Sequence, residues 1–167
     1  ESFSPGSAEK DRRPLFAAAM AFAAYLAGAW WLSPILPGGD EPHYLVIAQS
    51  LLHDGDLRIE NNHAAQQYRE FFDGTLRPHY LKRGVDGEIY SIHAPGLAAV
   101  VAPSFALFGY PGVVVFLALV AATGSALLWR ASYQLTGSAS AAWFAWAAGA
   151  LSVPFFFEAF AVFPDGL

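Results

Sequence analysis

The sequence predicts an all-α integral membrane protein with about three transmembrane helices. It adds a short re-entrant or interfacial helix and an extracytoplasmic loop carrying amphipathic interfacial helices. Three observations support this. The 167 residues are 55% apolar and only 14% charged, against about 25% charged in a typical soluble domain. The apolar residues gather at 14–36, 94–130 and 141–163, which are nearly free of charge. The one long polar stretch, 37–93, separates the first apolar run from the others.

Residues 1–13 read as a polar cytoplasmic tail, because Lys10, Arg12 and Arg13 abut the first apolar run and basic residues beside a first span favour the cytoplasm. Pro14 suits the first turn of a helix. The run 14–36 is long enough to cross a bilayer and too long for the core of a signal peptide, so it reads as a retained span. Trp30 and Trp31 fall near its far end, where interfacial anchors belong.

The segment 37–93 then lies outside the cytoplasm. Acidic residues outnumber basic ones there, and the chain carries a net charge of −5, which leaves no basic stripe for nucleic acid. Pro42 to His53 reads as an interfacial helix, with Tyr44, Leu45, Ile47, Ala48, Leu51 and Leu52 at helical spacing. Gly55 ends it. A second short helix is expected over 64–72, and Val85 to Tyr90 reads as a hairpin turn between short strands. From 94 onward, Pro95, Pro103, Gly109 and Pro111 divide the second apolar block. It reads as a re-entrant or interfacial helix over 96–108 and a span over 111–130. A cytoplasmic turn over 131–140 leads to a third span over 141–163, and 164–167 return outside.

The residues with chemical potential begin with Asp40-Glu41, directly after the first span. Two carboxylates there serve as a general base or cation ligands, with Pro42 fixing the turn. Alternatively, Asp40 caps the 42–53 helix and Glu41 complements its dipole. Asp165 follows the third span on the same face, and alone it reads as a solvated cap or turn residue. Asp40, Glu41 and Asp165 together would make an oxygen site for Mg or Mn. His93, at the start of the second apolar block, is placed to meet a phosphate oxygen, or is an interfacial histidine satisfied by backbone. Arg69, Lys82 and Arg83 are candidates to clamp a phosphate head group, although lipid headgroup contact explains them equally well. His43, His53, His63 and His79 show neither HxxH nor HExxH spacing, which argues against a zinc site. Cysteine is absent, so there is no thiolate chemistry. No Gly-rich phosphate loop is present, and no organic cofactor is expected. Glu158, inside the third apolar run, reads as a charge snorkelling to the outer interface.

In order along the chain, these features resemble the N-terminal part of the GT-C membrane glycosyltransferases. The pattern is similar to the protein O-mannosyltransferases and the lipid A aminoarabinose transferases. A first span leads into the acidic pair Asp40-Glu41 with Tyr44 behind it, and the helix 42–53 follows. The loop closes on His93-Ala94-Pro95-Gly96-Leu97, where the family carries a Lys-Pro-Pro-Leu-like motif. A later span ends in Pro164-Asp165. Two departures stand out: His93 replaces the family's Lys, and Gly109-Tyr110-Pro111-Gly112 stands where an Arg-Leu-Pro-Ser-like element occurs. The resemblance implies transfer of a sugar from a polyprenyl-phosphate donor to an acceptor on the extracytoplasmic face. Asp40 would be the base, Glu41 its neighbour, and Tyr44 and His93 part of the substrate site, with a divalent cation nearby. The implied setting is a bacterial inner membrane, and the implied partners are the bilayer and the lipid donor. Three spans cannot enclose a donor cavity, so the chain reads as a portion of a longer enzyme. The alternative is a non-enzymatic accessory subunit packing against other membrane protein subunits.

Overall fold

The computed structural model describes residues 12–163. They form six α-helices: α1 (Arg13–Leu32), α2 (Glu41–His53), α3 (Glu60–Ala64), α4 (Pro95–Thr136), α5 (Ala139–Ala150) and α6 (Val153–Glu158). Short 3-10 turns follow α1 and α3. There is no β-strand among the described residues.

α1 forms because Pro14 opens it and an alanine-rich, unbranched sequence continues it. Its 20 residues extend about 30 Å at the helical rise, matching the hydrocarbon thickness of a bilayer. Ala17, Ala21, Tyr25 and Ala29 recur on one buried face. They meet Ala118, Ala121 and Ala122 of α4 and Trp146 and Ala150 of α5. Small residues let these helix backbones approach closely. Gly28 shows how closely: a Cβ there would lie 2.8 Å from the Phe156 ring.

α4 is longer than the separate helices expected over 96–108 and 111–130. It runs from Pro95 to Thr136 across a break at Gly109, whose φ of 62° and ψ of −159° suit glycine alone. The kink falls where the sequence places Gly109 and Pro111. The helix continues past Arg130, so the expected turn over 131–140 contracts to Gly137 and Ser138. Gly137 is left-handed with φ 64°, and the Ser138 side chain accepts from Ala141 N–H to start α5.

The expected continuous helix over 141–163 is interrupted. α5 stops at Ala150, and α6 starts at Val153 with Pro154 in its first turn. The proline removes the N–H that would have continued α5. Two polar contacts satisfy the freed carbonyls: Tyr25 Oη donates to Ala150 O at 3.1 Å, and Ser152 Oγ donates to Gly149 O at 3.0 Å.

The ends of this bundle are distinct. The Arg13 guanidinium lies 4.6 Å from the Tyr133 ring and 5.2 Å from the Trp129 ring, so the start of α1 meets the end of α4. At the opposite end, Val162 meets Glu41. α1, the later part of α4 and the α5–α6 pair therefore run alternately up, down and up.

Two helices, Arg13–Ile35 and Pro95–Thr136, are long and apolar enough to cross a membrane. Only 22% and 33% of their most apolar windows are buried, unlike a core helix enclosed by its own fold. Leu15, Trp30, Trp31, Leu107, Phe108 and Leu119 are among the large apolar side chains facing outward.

The segment 37–93 folds as a cap at one end. Every residue from Glu41 to Ser50 is buried, so α2 starts one residue before the expected Pro42, ends at the expected His53 and is enclosed by protein over its first ten residues. Tyr44 and Leu45 pack on Leu97, Val101 and Phe105 of α4. Val46 and Ile47 pack beneath Ile59, Tyr68 and Ile89 of the loop. Gln49 Nε2 donates to Gln67 O and Glu70 Oε2, and Ser50 Oγ reaches Arg58 O at 2.9 Å. These polar ties hold the loop over α2. The helix expected over 64–72 resolves into α3 and the 3-10 turn Gln67–Glu70. The turn over Gly84–Gly87 forms, but its flanks make only one isolated bridge, Arg58 to Tyr90, and no strands.

Candidate functional site

The site is built at the start of α2, and backbone bonding decides what its carboxylates can do. Glu41 N–H donates to Gly38 O and His43 N–H donates to Asp40 O. Pro42 has no N–H to offer. Asp40 sits in the right-handed helical region and its side chain makes no cap hydrogen bond. The capping role weighed for Asp40 is therefore not taken up: no first-turn donor is left for it. Its carboxylate stays 49% exposed.

Glu41 does the opposite. It is 1% exposed, and its Oε2 accepts from Gly38 N–H while its Oε1 accepts from Val162 N–H, each at 2.7 Å. Burial pushes its carboxyl above the ordinary range, against the lowering effect of those two amide bonds. The adjacent carboxylates do not share a site. One is half-exposed, while both oxygens of the other are held by backbone amides. That arrangement does not fit an oxygen-only Mg or Mn site on Asp40 and Glu41. Asp165 lies outside the described residues.

What Asp40 faces is a cluster of imidazoles. His79 Nδ1 lies 3.7 Å from Asp40 Oδ1 and 3.1 Å from His93 Nε2. The His43 ring stacks on His79 at 4.7 Å and on His93 at 5.4 Å between centroids. Tyr44 tilts against His93 at 4.8 Å. Three separate segments deliver these rings: the first turn of α2, the middle of the loop, and the residues before α4. Ile92 N–H donates to His79 O at 3.0 Å, which pairs the two loop segments. His63 Nδ1 donates to Leu76 O at 3.1 Å, which pins the strand of chain leading to His79. His43 is 8% exposed and its Nδ1 has no hydrogen-bond partner. Burial, then the neighbouring histidines, push its imidazole down to about 4. Burial also lowers His63 and His93.

The structure thus places Asp40, Tyr44 and His93, three of the sequence candidates, in one cluster with His43 and His79, which were not among them. The spacing argument treated the histidines as unrelated. Their grouping depends on loop closure, which HxxH-type spacing cannot register. One signal was present: all five histidines fall within the polar segment after the acidic pair.

The basic candidates are not gathered here. Arg83 makes a two-pronged ion pair with Glu60, both contacts at 2.6 Å, and also donates to Gly87 O. Arg69 Nε donates to Gln66 Oε1 at 3.1 Å, and Lys82 is exposed. An apolar groove of about 460 Å³ opens between α1 and α4, lined by Leu26, Trp30, Leu36, Tyr110, Pro111 and Val114 among others. No family model, curated protein or solved structure matches the chain.

Proposed function

We propose that this chain is the N-terminal membrane portion of a GT-C-like glycosyltransferase, with Asp40 as general base on the extracytoplasmic face. The observation that carries the reading is the state of Asp40. Its carboxylate is relieved of capping by the backbone pattern around Pro42 and remains half-exposed at the polar end of an apolar bundle. A base needs access to solvent or substrate, which the half-exposed Asp40 carboxylate has, with the His79 ring 3.7 Å away. In the reaction, Asp40 takes the proton from an acceptor hydroxyl. The hydroxyl oxygen bonds to the anomeric carbon, and the bond from that carbon to the donor phosphate breaks, releasing the polyprenyl phosphate. The groove between α1 and α4 has the apolar lining that an isoprenoid tail requires. On this reading α1, the later part of α4, and α5 with α6 are the three spans, in a bacterial inner membrane.

The accessory-subunit reading is favoured by one observation. Arg83, a cation expected to hold the donor phosphate, is already bound to Glu60. A single variant separates the readings. In the full-length protein, Asp40→Asn keeps side-chain size and removes basicity. Sugar transfer from a polyprenyl-phosphate donor should fall on the order of 100-fold or more while the protein stays folded. Transfer at near wild-type rate would overturn the assignment.

A further inference from the structure

We propose that His43, His79 and His93 form a binding site for a zinc-type transition-metal ion, beside Asp40. Each ring offers a nitrogen within 4.8 Å of the others. Around a tetrahedral ion with bonds of about 2.0–2.1 Å, two ligand nitrogens stand roughly 3.3 Å apart. The His79 Nδ1 to His93 Nε2 separation is 3.1 Å, a hydrogen bond between the two rings that a shared ion would replace at nearly the same spacing. The three separations run up to 4.8 Å, wider than that spacing by about 1.5 Å, so the rings must close by that much around an ion.

A second observation points to a ligand independently. His43 is 8% exposed, and its Nδ1 is buried without a hydrogen-bond partner. A buried polar nitrogen left unpaired is costly, and of the eight such buried atoms among the described residues this is the one that belongs to the three-histidine cluster. A metal ion would use a lone pair that nothing in the protein uses. Ile92 N–H to His79 O and His63 Nδ1 to Leu76 O fix the backbone of the loop segment that carries His79.

The donor set selects the ion. Three imidazoles suit Zn, Ni, Cu, Co or Fe, whereas Mg and Mn take carboxylate and carbonyl oxygens. With Cys absent, a closed structural thiolate site is excluded. Three protein nitrogens leave a fourth position, and Asp40 Oδ1, 3.7 Å from His79 Nδ1, stands next to it. Three ligands with one open position is the arrangement of catalytic rather than structural zinc. The inference rests on the histidines and stands without the glycosyl-transfer reading.

The test is metal binding by the full-length protein, purified in detergent and stripped with EDTA. Zn(II) is titrated against a chromophoric chelator, and Co(II) is titrated alone while its visible d–d absorption is followed. One Zn(II) per chain and a Co(II) band of tetrahedral intensity are expected. His79→Ala and His93→Ala should each weaken Zn(II) at least ~100-fold, beyond the effect of losing an outer-shell partner. His53→Ala, at the exposed end of α2, should leave affinity unchanged. His79 is exposed and lies in the loop, so its alanine variant can be checked for folding by circular dichroism. Sub-stoichiometric Zn(II) in the wild-type protein would overturn the site. So would unchanged affinity in a folded His79→Ala variant, or an equal loss in His53→Ala. None of these readouts depends on transfer activity.

Discussion

Glu41 Oε1 accepts a hydrogen bond of 2.7 Å from the N–H of Val162, a residue 121 positions further along the chain. Its other oxygen accepts from Gly38 N–H. A side chain expected to join the chemistry instead fastens the last described segment to the start of α2. Two acceptor oxygens meet two N–H donors in a buried setting, so substitution should be felt in stability. Glu41→Gln supplies one acceptor and one competing donor. It should destabilise the protein by about 1–3 kcal/mol, the cost of an unsatisfied buried group. Denaturant unfolding in micelles would measure this, with Asp40→Asn as the neutral comparison. Equal stability of the two variants would refute the fastening role.

Arg13 over Trp129 and Tyr133 sets one end of the bundle, and the cap over α2 sets the other. Single cysteines at Thr75 and Gln134, both exposed, should react with an impermeant thiol reagent from opposite faces of a sealed vesicle. On the proposed orientation, with the basic residues before the first span inside, Thr75→Cys is expected to label from the extracytoplasmic face. Labelling of both from one face would remove the bundle from the membrane orientation described above.

Tyr25 Oη donates to the carbonyl that α5 leaves open at Ala150. Tyr25→Phe keeps the ring contacts with Phe155 and Phe156 and deletes the donor. The expected loss is about 1–3 kcal/mol, because the carbonyl finds no water among apolar neighbours. A Tyr25→Phe protein as resistant to thermal unfolding as the parent would show that the break is satisfied otherwise.

His43 gives the metal-free protein a pH dependence of definite sign. Its folded value is pushed down to about 4, while an unhindered imidazole titrates near ~6.5. Between those values the unfolded chain binds a proton that the folded chain refuses, so stability rises with pH across that window. Burial is the main cause, His79, His93 and His63 add to it, and Asp40 opposes it. Glu41, raised by burial, acts with the opposite sign, favouring the fold as pH falls through its elevated value. The comparison is therefore with His43→Gln, whose stability should fall less steeply from pH 6.5 to 4.5. Parallel profiles for the two proteins would contradict the assignment.

Much of the helical frame was legible because it depends on local chemistry. Pro14 and the alanines set α1, Glu41-Pro42 and Gly55 bound α2, and Gly109 with Pro111 marks the kink in α4. The break before Pro154 was readable by the same proline rule but was masked by the continuous apolar composition of 141–163. The site was harder to read, for a different reason. Asp40 looks like a cap by residue type, and only the backbone bonds around Pro42 show that no donor awaits it. The pairing of Arg83 with Glu60 and the meeting of His43, His79 and His93 are products of loop closure. Residues separated by tens of positions meet there without any periodic signal.

The interruption between α5 and α6 makes the upper arm of the bundle a short strut rather than a continuous rod. That strut is pinned three times: by the Tyr25 hydroxyl below, by Phe156 seated against Gly28 midway, and by Glu41 on Val162 above. All three pins fall on a short stretch in which α6 supplies only six helical residues. A methyl group added at Gly28, deep among apolar side chains, would push on Phe156. Through Phe160 and Val162, the strain would arrive at the carboxylate beside Asp40.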